Sequence, residues 1–291
     1  MPTIKTYKGF DKDLKCRGFQ YEIGKEYEEA KASACNCGFH ACEMPIEVLG
    51  YYDPGKQSRY CEVEQSGDLS RHSDDSKVAS TKIKIGAEIG ITGIIKAQVE
   101  YVKERATETN KHHSTGSRSA NSATGDLSAN SATGYGSANS ATGSRSANSA
   151  TGDLSANSAT GDLSANSATG YGSANSATGD LSANSATGSR SANSATGDLS
   201  ANSATGYGSA NISTGEDCSN AGMGERNISV AWGKDSKCKG SVGSFLVLSE
   251  WDNWDGKKYP FIGAKMVKVD GKRYKADTWY ALKNGKIIEA E

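Results

Sequence analysis

Large apolar side chains crowd the two ends of this 291-residue chain and thin out in its middle. From Gly116 to Gly233 a glycine stands at every ninth position. Between the glycines runs a variable pair (Asp-Leu, Tyr-Gly or Ser-Arg) and then Ser-Ala-Asn-Ser-Ala-Thr. A period this strict marks stacked copies of one structural unit. Ser-Ala-Asn-Ser-Ala extends as a short strand, and Thr-Gly with the pair turns the chain. The Gly, Ser, Asn and Thr content argues against a helical array. The spacing itself argues against a disordered linker.

The variable pairs set the size of one turn. Tyr135, Tyr171 and Tyr207 all fall in one of two alternating sets of units, whereas acidic pairs such as Asp162-Leu163 and Asp180-Leu181 dominate the other. Two nonapeptides per 18-residue coil explain this sorting. The array is then a flattened two-sheet β-solenoid of about seven coils, about 34 Å long at ~4.8 Å per strand. The degenerate units supply an orientation. Ile228, Val230 and Trp232 hold the second, fourth and sixth positions of their unit, and Ile212 a fourth position. On this reading the even positions (Ala120, Ser122, Thr124) point inward. The odd ones (Ser119, Asn121, Ala123) then face solvent, with outer columns of asparagine beginning Asn121, Asn130, Asn139.

The flanks change period. Thr3–Tyr7, Phe19–Ile23, Tyr60–Val63 and Lys82–Ile85 alternate like strands, Met44–Leu49 opens a helix, and Ile91, Ile94, Ile95, Val99 and Val102 keep helical spacing to about residue 105. After the array, Phe245–Leu248, Tyr259–Val269 and Asp277–Leu282 read as antiparallel strands, with a hairpin turn at Asn284-Gly285. The expected organisation is an α+β cap over 1–109, the solenoid over 110–235 and a β-rich cap over 236–291. The fold class is mainly β.

Composition narrows the function. The net charge of −1 comes with no dense Lys/Arg run of the kind that nucleic-acid binding leaves. No apolar stretch reaches 18 residues, and the first residues hold no apolar leader, so neither membrane nor secretion is expected. Seven unevenly spaced cysteines fit reduced thiols in a cytoplasm. Cys35, Cys37, His40 and Cys42 are the one cluster of ligand-type residues and the candidate metal set, four N/S donors being enough for zinc. His40 and Cys42 also share a strand face, but no oriented base or oxyanion site accompanies them. No cofactor is expected.

Tyr7-Lys8-Gly9-Phe10, Cys16-Arg17-Gly18-Phe19-Gln20-Tyr21 and Cys37-Gly38-Phe39-His40-Ala41-Cys42-Glu43, with Thr81–Gly90 and the tail from Ser249, resemble an uncharacterised domain family of phage and prophage proteins from gut Firmicutes. The resemblance implies viral origin and a bacterial cytoplasm. It carries no activity. The expectation is a non-enzymatic accessory protein acting by protein–protein interaction, its solenoid a rigid spacer or docking surface and its partner a host bacterial protein such as a defence component. Tyr135, Tyr171 and Tyr207 are the expected anchors, beside the columns of Asn121, Asn130 and Asn139. A self-assembling virion component, built from further copies of the chain, is the alternative. A Cys/His-dependent enzyme or metal-binding domain is the remaining one.

Overall fold

The structure is a computed structural model that describes residues 3–73, 75–106 and 111–290. It divides into two compact units, Met1–Gln98 and Val99–Glu291. The expected boundary at 109/110 lies outside the described residues.

In the first unit, five strands form one antiparallel sheet: β1 (Ile4–Phe10), β2 (Glu26–Glu28), β3 (Phe39–Cys42), β4 (Arg59–Arg71) and β5 (Lys77–Ile89). Their order is β2-β5-β3-β1-β4, and β4 also pairs with β5, so the sheet closes on itself. Phe10, Tyr21, Phe39, Val63, Ile83 and Ile85 fill its interior. A short helix, α1 (Val48–Tyr51), follows a 3-10 turn whose Pro45 needs no amide donor, as the Met44–Leu49 pattern predicts. The helical spacing after Gly90 becomes α2 (Ile91–Arg105). Buried Gln65 stitches the sheet together. Its Nε2 donates to the Phe39 carbonyl (2.7 Å), the Val78 carbonyl (3.1 Å) and Ser80 Oγ (3.0 Å), and its Oε1 accepts from Thr6 Oγ1 (2.9 Å).

In the second unit the nonapeptides form the expected two-sheet β-solenoid. Each strand pairs in parallel with the strand 18 residues on, as in Asn130↔Asn148 and Asn139↔Asn157. One sheet runs from Lys111–Thr115 through Ala129–Thr133 to Lys237–Gly240, the other from Ala120–Thr124 to Phe245–Trp251. Among the described residues there are about eight turns rather than seven. The C-terminal strands continue both sheets antiparallel: Phe261–Lys268 on Phe245–Trp251, and Tyr280–Lys283 beside Cys238. The hairpin of Tyr280–Lys283 with Lys286–Glu289 turns at Asn284-Gly285, both with positive φ, as its sequence predicts.

The expected orientation of the units is reversed. Ser128, Asn130, Ala132 and their repeats point inward and are buried, so the asparagine columns are an interior feature and not a solvent-facing one. Ile212 and Trp232, whose apolarity suggested an inward face, are 41% and 38% exposed. The reason is hydrogen bonding. From Asn121 to Asn202 each inward Asn Nδ2 donates to a carbonyl across the coil and to the Asn Oδ1 one coil on; for Asn148 these are Ser158 O (2.6 Å) and Asn166 Oδ1 (3.0 Å). Two continuous amide ladders satisfy the interior, which an Ala/Ser/Thr lining would fill with far fewer bonds. Only the last turns change to an apolar core of Ala231, Cys238, Leu246, Leu248, Val269 and Tyr280.

The repeating glycine takes a backbone conformation that side chains disfavour, as its place in the turn predicts: φ is 114–150° from Gly116 to Gly170. A Cβ on Gly134 would sit 2.3 Å from the Gly116 carbonyl oxygen one coil away, and Gly161 meets Gly143 in the same way at 2.5 Å. Close stacking of backbones excludes any side chain there. The second residue of the variable pair is left-handed as well: Leu127, Arg145, Leu163 and Arg190 all have φ between 56° and 60°.

Candidate functional site

The first unit holds a cavity of about 560 Å3. The motifs that carry the family resemblance converge on it: Tyr7, Lys8 and Gly9 from β1, Cys16, Arg17, Phe19 and Tyr21 from the following turn, and Cys37, Gly38, His40 and Cys42 around β3. Tyr51 and Tyr52, at the end of α1, and Lys77 of β5 complete the wall. Gly9 makes room for Tyr52, whose Cδ2, Cγ and Cβ lie 2.5–2.7 Å from where a Cβ would stand.

Lys8 is the central group. It is 4% exposed. Its Nζ donates to the His40 carbonyl at 2.7 Å and approaches Cys16 Sγ at 3.5 Å, and it lies 5.5 and 5.4 Å from the ring centres of Phe10 and Tyr21. Among the described residues no carboxylate lies within ion-pair distance of it. Burial therefore holds its pKa below the ordinary lysine value, with Cys16 acting against the shift. His40 is likewise lowered, first by burial and then by the Lys8 charge, and its Nε2 is buried without a hydrogen-bond partner. Burial pushes the Cys42 thiol up to about 12, which leaves it protonated and unreactive at neutral pH.

Cys35, Cys37, His40 and Cys42 all line this cavity. They do not form the expected metal set. No group of three or more His, Cys, Asp or Glu side chains among the described residues is arranged to hold an ion. Cys35 lies at an exposed turn with φ 62°, while Cys42 is buried on β3. Lys8, Tyr51, Tyr52 and Lys77 were not singled out from the sequence as site residues. The signal for Lys8 is a lysine inside the otherwise buried run Thr6–Phe10.

On the solenoid, Tyr135, Tyr171 and Tyr207 do stand in one edge column, every second coil and about 9.6 Å apart, 52%, 44% and 43% exposed. Arginines of the next coil cover two of them. Arg190 stacks over Tyr171 (5.4 Å) and donates to its hydroxyl at 2.5 Å, and Arg226 lies 5.5 Å over Tyr207. Asn130 and Asn139 are buried in the ladders, and Asn121, in the first coil, is half-buried.

The two outer faces differ, although their sequence is the same. Outward Ala129, Ala147, Ala165, Ala183 and Ala201 of the first sheet are closed off from solvent at 0–2% exposure. Their counterparts Ala138, Ala156, Ala174 and Ala192 in the second sheet are exposed. There they floor an open trough of about 730 Å3 that runs from Ala120 to Ile212. Past Ile212 the face becomes apolar through Ile228, Val230 and Phe245, and ends in the contacting rings of Trp232, Trp251 and Phe261. No charged side chain projects from this face between Ala120 and Val247.

None of the helices is long and apolar enough to cross a membrane, among the described residues. Comparison with known proteins gives no match among curated proteins and none among solved structures. Residues 4–97, which hold the cavity, are similar to the family described as Domain of unknown function (DUF7666), an uncharacterised domain family.

Proposed function

We propose that this is a non-enzymatic binding protein whose solenoid docks a partner protein through the open outer face of its second sheet. The single observation that carries the reading is the asymmetry between the two faces. The same Ala/Ser lattice is buried on one sheet and bare on the other, and a bare uncharged lattice is a surface that a partner protein can cover. The bare face is uncharged, about 34 Å long and one strand wide. Those dimensions suit the apolar side of an amphipathic helix of about 20 residues. The aromatic end at Trp232 and Phe261 supplies the anchor, and the tyrosine–arginine edge frames the groove. The likeness of the N-terminal motifs to phage and prophage proteins supports a host bacterial protein, met in the cytoplasm, as the owner of that helix.

The test is capture from a bacterial lysate with wild type and with an Ala156→Lys/Ala174→Lys variant, identified by mass spectrometry. A partner held by wild type and lost when two charges are planted in the trough supports the reading. A partner held equally by both rules out this face. Self-assembly into a virion or fibre component is the second reading, favoured by the same bare face. Light scattering separates the two: a polymer that grows with concentration supports assembly, and a discrete species supports the soluble binder.

A further inference from the structure

The N-terminal cavity belongs to the first unit, and its chemistry points to a different occupant from the solenoid's. We propose that it binds a small anion carrying a planar ring, of mononucleotide size, with the anionic group set against Lys8 and His40 and the ring against the tyrosine wall.

Charge is the first reason. Lys8, Arg17 and Lys77 line the cavity against the single acid Glu29. Lys77 is already engaged by Asp75 (3.4 Å). Lys8 has only a carbonyl and a thiol. An ammonium group taken out of water without a counter-charge is costly. A bound anion would supply what the chain withholds. His40 adds a ring nitrogen with no partner in the protein, placed in the same wall. A ligand oxygen accepting from Lys8 would satisfy the ammonium in charge-assisted geometry, and a hydroxyl of the same anionic group donating to the His40 Nε2 lone pair would satisfy the ring.

Shape is the second reason. The cavity's volume lies within the range of sites for small ligands. Phe19, Tyr21 and Tyr52 present aromatic surface in its wall. Phe19 meets Tyr21 edge-on at 4.8 Å, so the rings are fixed against each other. Gly9 holds Tyr52 close to β1 in a way that a side chain at that position would prevent. Fixed aromatic faces beside buried cations suit a ligand that is flat at one end and negative at the other.

The experiment is a calorimetric titration of the full chain with the four common ribonucleoside 5′-monophosphates, their nucleosides and inorganic phosphate. At least one nucleotide is expected to bind at one site per chain, at least ~10-fold more tightly than its nucleoside, the worth of one charge-assisted bond. Lys8→Met should cost at least ~10-fold in nucleotide affinity and leave nucleoside affinity within ~2-fold. Arg17→Ala, at an exposed position, should cost several-fold and serves as the reading if Lys8→Met does not fold. Silence towards all four nucleotides overturns the proposal. So does equal binding of nucleoside and nucleotide, or nucleotide binding unchanged in whichever of the two variants folds.

Discussion

Asn166→Ala removes one rung from the middle of an amide ladder. Asn166 is fully buried. Its Nδ2 donates to Ser176 O (2.6 Å) and Asn184 Oδ1 (3.0 Å), and its Oδ1 accepts from Asn148 Nδ2 (3.0 Å). Alanine strands the Asn184 oxygen without a donor in a dry interior and leaves a small void. Three lost bonds at ~1 kcal/mol each, with an unsatisfied acceptor and the void added, give about 3–5 kcal/mol. Asn121→Ala in the first coil is the graded comparison. Asn121 is half-buried and makes two such bonds, to Ser131 O and Asn139 Oδ1, so about 1–2 kcal/mol is expected. Ser167→Ala, the outward neighbour, should stay within ~0.5 kcal/mol of wild type. The assay is denaturant unfolding followed by far-UV circular dichroism and by tryptophan fluorescence, because stacked repeats can unravel in parts. Asn166→Ala within ~0.5 kcal/mol of wild type, with Ser167→Ala the costlier change, would refute the inward placement of asparagine.

The remaining predictions concern other parts of the chain. Gly161→Ala forces a methyl to 2.5 Å from the Gly143 carbonyl oxygen and should cost at least ~2 kcal/mol in the same assay, whereas Gly18→Ala, with open space around it, should cost about 1 kcal/mol of backbone strain. Buried Glu250 accepts the amides of Asn284 and Gly285 (2.8 Å for the latter), so Glu250→Gln should lower stability by about 1–2 kcal/mol and speed amide hydrogen exchange at those two residues. Lys8 has a folded-state pKa below its unfolded one, so the unfolded chain binds more protons between the two values, and its contribution to stability rises with pH up to about 10.5. Lys8→Met should therefore raise the melting temperature of the ligand-free protein at neutral pH, and the gain should shrink as pH approaches 10.5; a pH-independent difference would contradict the burial argument. Replacing Tyr135, Tyr171 and Tyr207 together with Ser should weaken capture of the partner while leaving the circular dichroism spectrum unchanged.

Most of the scaffold was legible because repetition is a strong signal. The nine-residue spacing gave the strands, and the sorting of Tyr-Gly from acidic pairs gave the 18-residue coil and the tyrosine edge. The orientation was misread for a physical reason. Apolar side chains mark the inside of most folds, but this interior is held by amide-to-amide bonds, and the chain's few large apolar repeat residues lie on the outer face. The glycine's turn geometry is legible in the repeat, whereas its stacking on the backbone one coil away is not, because a sequence does not display that neighbour. In the N-terminal unit the motifs that line the cavity were visible, but Lys8 was not singled out. A lysine in an alternating strand reads as solvent-facing, and its burial depends on the turn through Cys16 and on Tyr52, both brought to β1 only by the fold. The Cys/His cluster was visible as a cluster in sequence, yet a buried strand and an exposed turn divide it.

The central claim is an 18-residue rung with serine at the fourth position facing out, and cysteine cross-linking tests it most directly. Ser140 and Ser158 are register partners on adjacent coils, at a strand spacing of ~4.8 Å that a disulfide can bridge. Ser140 and Ser149 belong to opposite sheets. Mild oxidation followed by peptide mapping should link Ser140→Cys to Ser158→Cys in high yield and leave Ser140→Cys with Ser149→Cys unlinked. The reverse pattern, or equal yields in both pairs, would contradict the account.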